Sequence, residues 1–121
     1  MEATFEVYLN DRLIFYSNGK WLHPLFDFEE FLLKENLDPA TLFVKDKIVG
    51  KAAALLLVKF DIRHVHAGVL SEPGKRVMED YNVSFSFDRL VKRISCKTEE
   101  LLVLIDDLDE AYLMLKERAH R

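Results

Sequence analysis

A chain of 121 residues with a formal net charge of −4 is long enough to form one domain around a single hydrophobic core. Half of its residues are hydrophobic and 31% are charged, a balance that excludes a disordered chain. The mild negative charge gives no basis for nucleic-acid binding, which usually needs a basic surface.

Cys96 is the only cysteine, so the sequence excludes an intramolecular disulfide and a zinc site of four cysteines. The first residues show no signal-peptide pattern. The longest apolar run, Ala52 to Val58, is far too short to cross a membrane. We therefore expect a cytoplasmic protein that binds no membrane.

The first third of the chain predicts a hairpin and a helix. Residues 4–9 alternate between apolar and polar, and the run Leu13 to Tyr16 follows Asn10-Asp11, which is typical of two strands joined by a tight turn. Apolar residues at helical spacing after Pro24 then predict a helix that ends near Asn36.

The middle of the chain predicts a short strand, a helix and a second strand. Residues 42–44 form the short strand, and Asp46 caps a helix from Lys47 to about Phe60. The small side chains of Gly50 to Ala54 would let this helix approach a neighbour or a ligand closely. Residues 64–70 form the next strand.

A third helix is predicted after Ser71, which serves as its cap, with Pro73 in the first turn. Val77, Met78 and Tyr81 are expected to form its inner face.

The end of the chain predicts a strand followed by helices. Residues 83–87 alternate strictly as a half-buried strand does, and Asp88 is expected to cap a helical turn through Ile94. Two consecutive helices follow from Thr98, broken at Asp107, which forms a capping box with Glu110.

Strands that alternate with helices predict one α/β domain spanning residues 1–121, in which the opening hairpin makes the sheet mixed. The glycine-rich fingerprint of dinucleotide folds is absent from the sequence, as is a phosphate-binding loop of the nucleotide-hydrolase kind. We expect no cofactor.

One segment carries a family resemblance. The stretch Asp46 to Ala54, Asp-Lys-Ile-Val-Gly-Lys-Ala-Ala-Ala, followed at a distance by Val69 to Glu72, resembles a small prokaryotic family of unknown function. The resemblance covers most of the chain after Trp21 and implies a cytidine-deaminase-like fold, a three-layer α-β-α arrangement around a mixed sheet. It implies no established activity.

Zinc deaminases carry His-x-Glu or Cys-x-Glu at one helix start and Pro-Cys-x-x-Cys at the next. Under the implied alignment these helix starts are Asp46-Lys47 and residues 71–74, Ser-Glu-Pro-Gly, which lack the metal ligands. We therefore expect no deaminase-type metal site. His64 and His66 share a strand face and could grip a metal or lie at a strand edge with hydrogen-bonded rings.

Family members also tend to carry a Cys-Pro-x-Glu element after an Asn-Arg pair and glycines. This sequence keeps Cys96 and Glu99 at that spacing but lacks the proline and the glycines. Cys96 is then either a reactive thiolate at a helix start, in an enzyme that uses Glu99, or a packed side chain.

The two helix starts are the preferred candidate site. In the implied fold both N-termini point into one cleft, where their N–H groups would favour a small anion such as a nucleotide or a phosphorylated metabolite. The candidate ligand-binding residues are Asp46, Lys47, Gly50, Lys51, Ser71 and Glu72. The alternative is that these residues are ordinary caps, packing and solvated lysines.

A different alternative is a structural module that self-associates. Nine phenylalanines, four tyrosines and Trp21 supply more large apolar surface than one small core needs, and a homodimer could bury the excess.

Overall fold

The computed structural model describes residues 3–94, 102 and 105–121. Its elements follow the order β1, β2, α1, β3, α2, β4, α3, β5, α4. Their bounds are Phe5–Leu9 (β1), Arg12–Ser17 (β2), His23–Lys34 (α1), Phe43–Val49 (β3), Lys51–Lys59 (α2), His64–Ser71 (β4), Glu72–Asp80 (α3), Ser84–Val91 (β5) and Leu108–Arg118 (α4). A single 3-10 turn, Pro39–Thr41, precedes β3.

The predicted hairpin is confirmed. β1 and β2 pair antiparallel, and Asn10 and Asp11 between them have φ angles of 50° and 67°. Two successive residues with positive φ form the turn whose twist matches that of a hairpin, and Asn and Asp tolerate this conformation better than other side chains.

Five strands form one mixed sheet in the order β2-β1-β3-β4-β5. β1 is antiparallel to both of its neighbours, whereas β3, β4 and β5 are parallel to one another. The predicted mixed α/β architecture is therefore confirmed.

The two faces of this sheet differ in burial. The face that we call the core face carries the buried side chains of Phe5, Val7, Val44, Val65 and Ala67. The opposite face, here called the open face, carries exposed or half-buried side chains, among them Glu6, Tyr8, Lys45, His66 and Ser86.

The helices pack on the core face. Phe28 of α1 contacts Phe5 with ring centroids 5.5 Å apart. Both α2 and α3 connect adjacent parallel strands, and the handedness of such crossovers places them on one side of the sheet. α4 packs over α1 and α2 through Tyr112, whose ring lies 6.3 Å from those of Phe26 and Phe60. Residues 51–58 are consequently all buried.

Among the described residues no helix lies on the open face, whose side chains reach solvent. The described part of the chain thus forms a sheet with helices on one side. A third layer and the finer cytidine-deaminase-like classification remain predictions.

The predicted start of the second helix is wrong. β3 continues through Val49, pairing with β1 up to Asp46 and with β4 up to Val49, and α2 begins only at Lys51 with Gly50 as its N-cap. Asp46 is therefore a strand residue and not a helix cap. Pairing on both sides, with the β-branched Ile48 and Val49 in the strand, outweighs the local cap signal of Asp46.

The predicted helical turn after Asp88 is also wrong, because β5 runs to Val91 in continuous parallel register with β4. Tyr81 does not belong to the inner face of α3. It follows the last helical residue and is exposed, while Val77 and Met78 are buried as predicted.

Two of the four predicted helix caps, Ser71 and Asp107, are confirmed. The Oγ atom of Ser71 accepts a hydrogen bond of 3.1 Å from the N–H of Gly74, and the Asp107 carboxylate accepts one of 2.9 Å from that of Glu110. The first of the two predicted C-terminal helices falls largely outside the described residues. Nowhere in residues 3–94, 102 and 105–121 is a helix long and apolar enough to span a membrane.

Candidate functional site

The structure divides the six predicted ligand-binding residues into two groups. Gly50, Lys51, Ser71 and Glu72 lie at the starts of α2 and α3. Asp46 and Lys47 lie earlier, inside β3, and line a groove in the sheet. Lys47 and Lys51, both predicted to belong to the second helix, therefore lie in different elements.

The two helix starts lie against each other. A Cβ atom built on Gly74 of α3 would be 3.1 Å from the carbonyl carbon and oxygen of Gly50, the N-cap of α2. Small residues at both positions allow this contact, as the sequence suggested for the start of α2. Ser71 is fully buried beside it, and Glu72 is exposed.

Lys51 has internal partners at this point. Its ammonium group donates a hydrogen bond of 2.7 Å to the carbonyl of Leu102 and lies 3.1 Å from a carboxylate oxygen of Asp106. Only 8% of the residue is exposed. The charge of Lys51 therefore ties the segment before α4 to the start of α2.

The groove that contains Asp46 and Lys47 has a volume of about 580 Å³. It lies across β1, β2, β3 and β4, reaches Asp88 in the middle of β5, and opens to solvent. Its ionisable lining consists of Glu6, Lys45, Asp46, Lys47, His66 and Asp88.

Two lysines of this groove carry exposed ammonium groups. Lys45 and Lys47 alternate on β3, and within the described ranges neither has a carboxylate within 4.0 Å. Two such cations on one groove wall attract anions, although Glu6 of β1 is the register partner of Lys45 and offsets part of this charge.

Asp46 carries less negative charge at neutral pH than an ordinary aspartate. Burial raises the pKa of its carboxyl group to about 7, although hydrogen bonds from the backbone N–H groups of Ile48 and Lys47 act in the opposite direction. Its register partners, Phe5 and Ala67, belong to the core face, so the carboxyl group lies on the opposite side of β3 from Lys45 and Lys47.

His66 connects two strands at the other wall of the groove. Its Nδ1 atom lies 2.7 Å from the Oγ atom of Ser86, and its Nε2 atom lies 3.2 Å from a carboxylate oxygen of Asp88. His66 and Ser86 are direct neighbours in the parallel register of β4 and β5. The interpretation of His66 as a strand residue with a hydrogen-bonded ring is confirmed.

The described part of the chain contains no cluster of metal-binding side chains. No group of three His, Cys, Asp or Glu side chains there is arranged to hold a metal ion. The candidate pair Cys96 and Glu99 lies outside the described residues.

Sequence reasoning missed Lys45, Ser86 and Asp88 as functional candidates. The signal was present as polar residues at every second position, 45 and 47 on β3 and 84, 86 and 88 on β5. Such alternation marks one face of a strand. Lys45 and Asp88 lie beyond the ends of the strands predicted at 42–44 and 83–87, and Ser86 gains its partner only through pairing with β4.

Comparison with known proteins agrees with the architecture. The family described as a domain of unknown function (DUF1893) matches residues 2–119. A DUF1893 family protein (TM1506) from Thermotoga maritima, solved by crystallography, is 31% identical with a TM-score of 0.84, over 96% of this chain and 80% of that one. No curated protein matches the chain. The chain belongs to the DUF1893 family, and its resemblance to an uncharacterised family is confirmed.

Proposed function

We propose that this DUF1893 domain binds a small anionic ligand, such as a nucleotide or a phosphorylated metabolite, in the groove of its open face. The observation that carries the proposal is the pair of exposed lysines, Lys45 and Lys47, which form no ion pair within the described residues and lie on one wall of a groove of about 580 Å³. A volume in this range suits a small molecule.

The other charges of the groove are compatible with an anion. Asp88 is engaged by His66, and Asp46 has a pKa of about 7, so part of its negative charge is lost at neutral pH. Glu6 is the remaining carboxylate of the lining. Such mixed lining would fix the orientation of a ligand that carries both an anionic group and hydrogen-bond donors.

The helix starts are the less favoured place for the anion. Lys51 already donates to the Leu102 carbonyl and pairs with Asp106, and Ser71 is buried with its Oγ atom bonded to Gly74. Opening this contact for a ligand would first break those hydrogen bonds, each of which contributes about 1 kcal/mol. The groove requires no such rearrangement.

The test is a thermal-shift screen against inorganic phosphate, nucleotides, nucleosides and sugar phosphates, because a ligand that binds the folded state raises the melting temperature. We expect one phosphorylated class to stabilise the wild type and its unphosphorylated counterpart to have no effect. In the double variant Lys45→Gln/Lys47→Gln the apparent affinity obtained from the melting-temperature shift should fall at least about tenfold.

The matched control is Lys20→Gln/Lys34→Gln, which removes the same total charge outside the groove. If both double variants lose binding equally, the effect is one of net charge and the groove is not the site. A folded wild type that responds to no anion would contradict the proposed function.

Three hypotheses from the sequence stay predictions: a cytidine-deaminase-like fold without zinc, self-association of the chain, and an enzymatic reaction that uses Cys96 and Glu99.

A further inference from the structure

Three polar side chains lie in contact across β4 and β5 on the open face, two of them joined by a hydrogen bond. The hydroxyl oxygen of Ser86 is 2.7 Å from Nδ1 of His66, and Nε2 of the same ring is 3.2 Å from the Asp88 carboxylate. Ser86 is exposed, His66 is half-buried, and the Asp88 side chain is 73% exposed.

A carboxylate oxygen 3.2 Å from Nε2 favours the neutral tautomer of the imidazole that carries its proton on that nitrogen. In that tautomer the lone pair of Nδ1 faces the Ser86 hydroxyl and can accept its proton. A hydroxyl paired with a base whose other nitrogen is oriented by a carboxylate is the arrangement that activates a serine nucleophile.

We infer that Ser86, which lies beside the groove residues His66 and Asp88, is a nucleophile activated by His66 for acyl transfer from a carboxylic ester. This activity goes beyond the proposed anion binding, because its nucleophile and base are Ser86 and His66 and neither is a lysine of the anion site. Asp88 acts through the imidazole and is a positioning residue.

The reaction balances without a cofactor. The Ser86 oxygen forms a bond to the ester carbonyl carbon as its proton moves to Nδ1 of His66, and the carbon–oxygen bond to the alcohol breaks. The departing alkoxide takes the proton from the imidazolium, which leaves an acyl-serine and a free alcohol. Water then attacks the acyl-serine in the same manner, releasing a carboxylic acid and restoring the hydroxyl.

Lys45 lies next to this chain of groups. It is the register partner of His66 on the other side of β4, and both residues line the groove. A cation there would stabilise the negative charge that develops on the carbonyl oxygen during attack.

The sheet contains its own comparison pair. Ser84 and His64 occupy the preceding position on the same two strands, in the same register and on the same face. Position 86, which would correspond to Asp88, is a serine, and in the described part of the structure the Ser84 hydroxyl makes no hydrogen bond to His64. Ser84 should therefore lack the reactivity of Ser86 although it is equally exposed.

The experiment measures covalent modification of the full chain by a fluorophosphonate probe, with the modified residue identified by peptide mass spectrometry. The serine oxygen displaces fluoride from phosphorus, and the serine proton goes to His66. We expect one adduct, on Ser86 and not on Ser84. The same preparation should release p-nitrophenol from p-nitrophenyl acetate through an acetyl-Ser86 intermediate.

Variants separate the roles. Ser86→Ala should abolish the adduct and Ser84→Ala should leave its rate unchanged, while His66→Asn should slow it about a hundredfold, the usual contribution of a general base. Asp88→Asn should slow it on the order of tenfold, with partial recovery in Asp88→Glu, which keeps the carboxylate. Circular dichroism and thermal melting show whether each variant is folded.

Two results would overturn the inference. One is a folded wild-type protein that acquires no Ser86 adduct, or acquires acetyl groups on Lys45 in place of Ser86. The other is an adduct on Ser86 whose rate is the same in folded His66→Asn. Neither result bears on anion binding, which the melting-temperature screen measures separately.

Discussion

The close approach of β4 to β3 at Gly68 gives the sharpest stability prediction. Gly68 of β4 lies opposite Lys47 of β3, between the register pairs Asp46 with Ala67 and Ile48 with Val69. A Cβ atom at position 68 would be 2.6 Å from the Lys47 carbonyl oxygen. Carbon–oxygen contacts between strands normally measure about 3.3–3.6 Å, so Gly68→Ala would force the two backbones apart by roughly 0.7 Å.

The expected cost follows from two opposing terms. Overpacking of this kind costs about 1–3 kcal/mol, whereas alanine lowers the entropy of the unfolded chain and returns about 0.4–1 kcal/mol, which leaves a net loss of about 1–2 kcal/mol. For 121 residues the entropy of unfolding converts 1 kcal/mol into about 4 °C. Gly68→Ala should therefore lower the melting temperature by about 4–8 °C.

Differential scanning calorimetry measures this loss, and Gly19→Ala is the matched control. A Cβ atom at position 19 would meet the Ser17 hydroxyl at 3.1 Å and the Pro24 ring at 3.3 Å. Because these contacts are side-chain atoms that can shift, Gly19→Ala should lose less than half as much. A Gly68→Ala protein that melts at or above the wild-type temperature would refute the close approach of β3 and β4.

Two further predictions concern buried ionisable groups. Lys51→Met should lower the free energy of unfolding by about 1–3 kcal/mol in urea denaturation, because the Leu102 carbonyl loses its hydrogen-bond donor. The control is Lys59→Met, which removes a surface ion pair with Asp109 and should cost less than about 1 kcal/mol. Equal losses in the two variants would contradict the structural role of Lys51. The carboxyl group of Asp46 has a pKa of about 7 in the folded protein, against an ordinary value of 3.8, so the folded state binds this proton more tightly than the unfolded state does. Protonation of Asp46 therefore stabilises the fold fully below about pH 4, and this contribution is lost as the pH rises to about 7. The urea midpoint of the wild type, relative to that of Asp46→Asn, should fall over this interval, and parallel pH profiles would show that Asp46 titrates normally.

Much of the fold could be predicted from local patterns. The hairpin at Asn10-Asp11, the cap at Ser71 and the cap at Asp107 each depend on residues close in sequence, and all three are confirmed. The family resemblance likewise came from a contiguous stretch, residues 46–54, and is confirmed.

The ends of β3 and β5 could not be predicted in this way. Asp46 and Asp88 look like helix caps in isolation, yet each lies inside a strand because a parallel ladder to β4 continues past it. The energy of that ladder comes from residues about 20 positions away along the chain, so no local window contains it.

The candidate site depends on the same long-range pairing. The sequence by itself determined a mixed α/β fold, the membership of the DUF1893 family and the start of α3 at Ser71. Only the tertiary structure decided that Lys45 and Lys47 share a groove with His66, and that His66 joins Ser86 to Asp88. Strand register sets which side chains become neighbours across a sheet, and register is a property of the assembled sheet that no single strand contains.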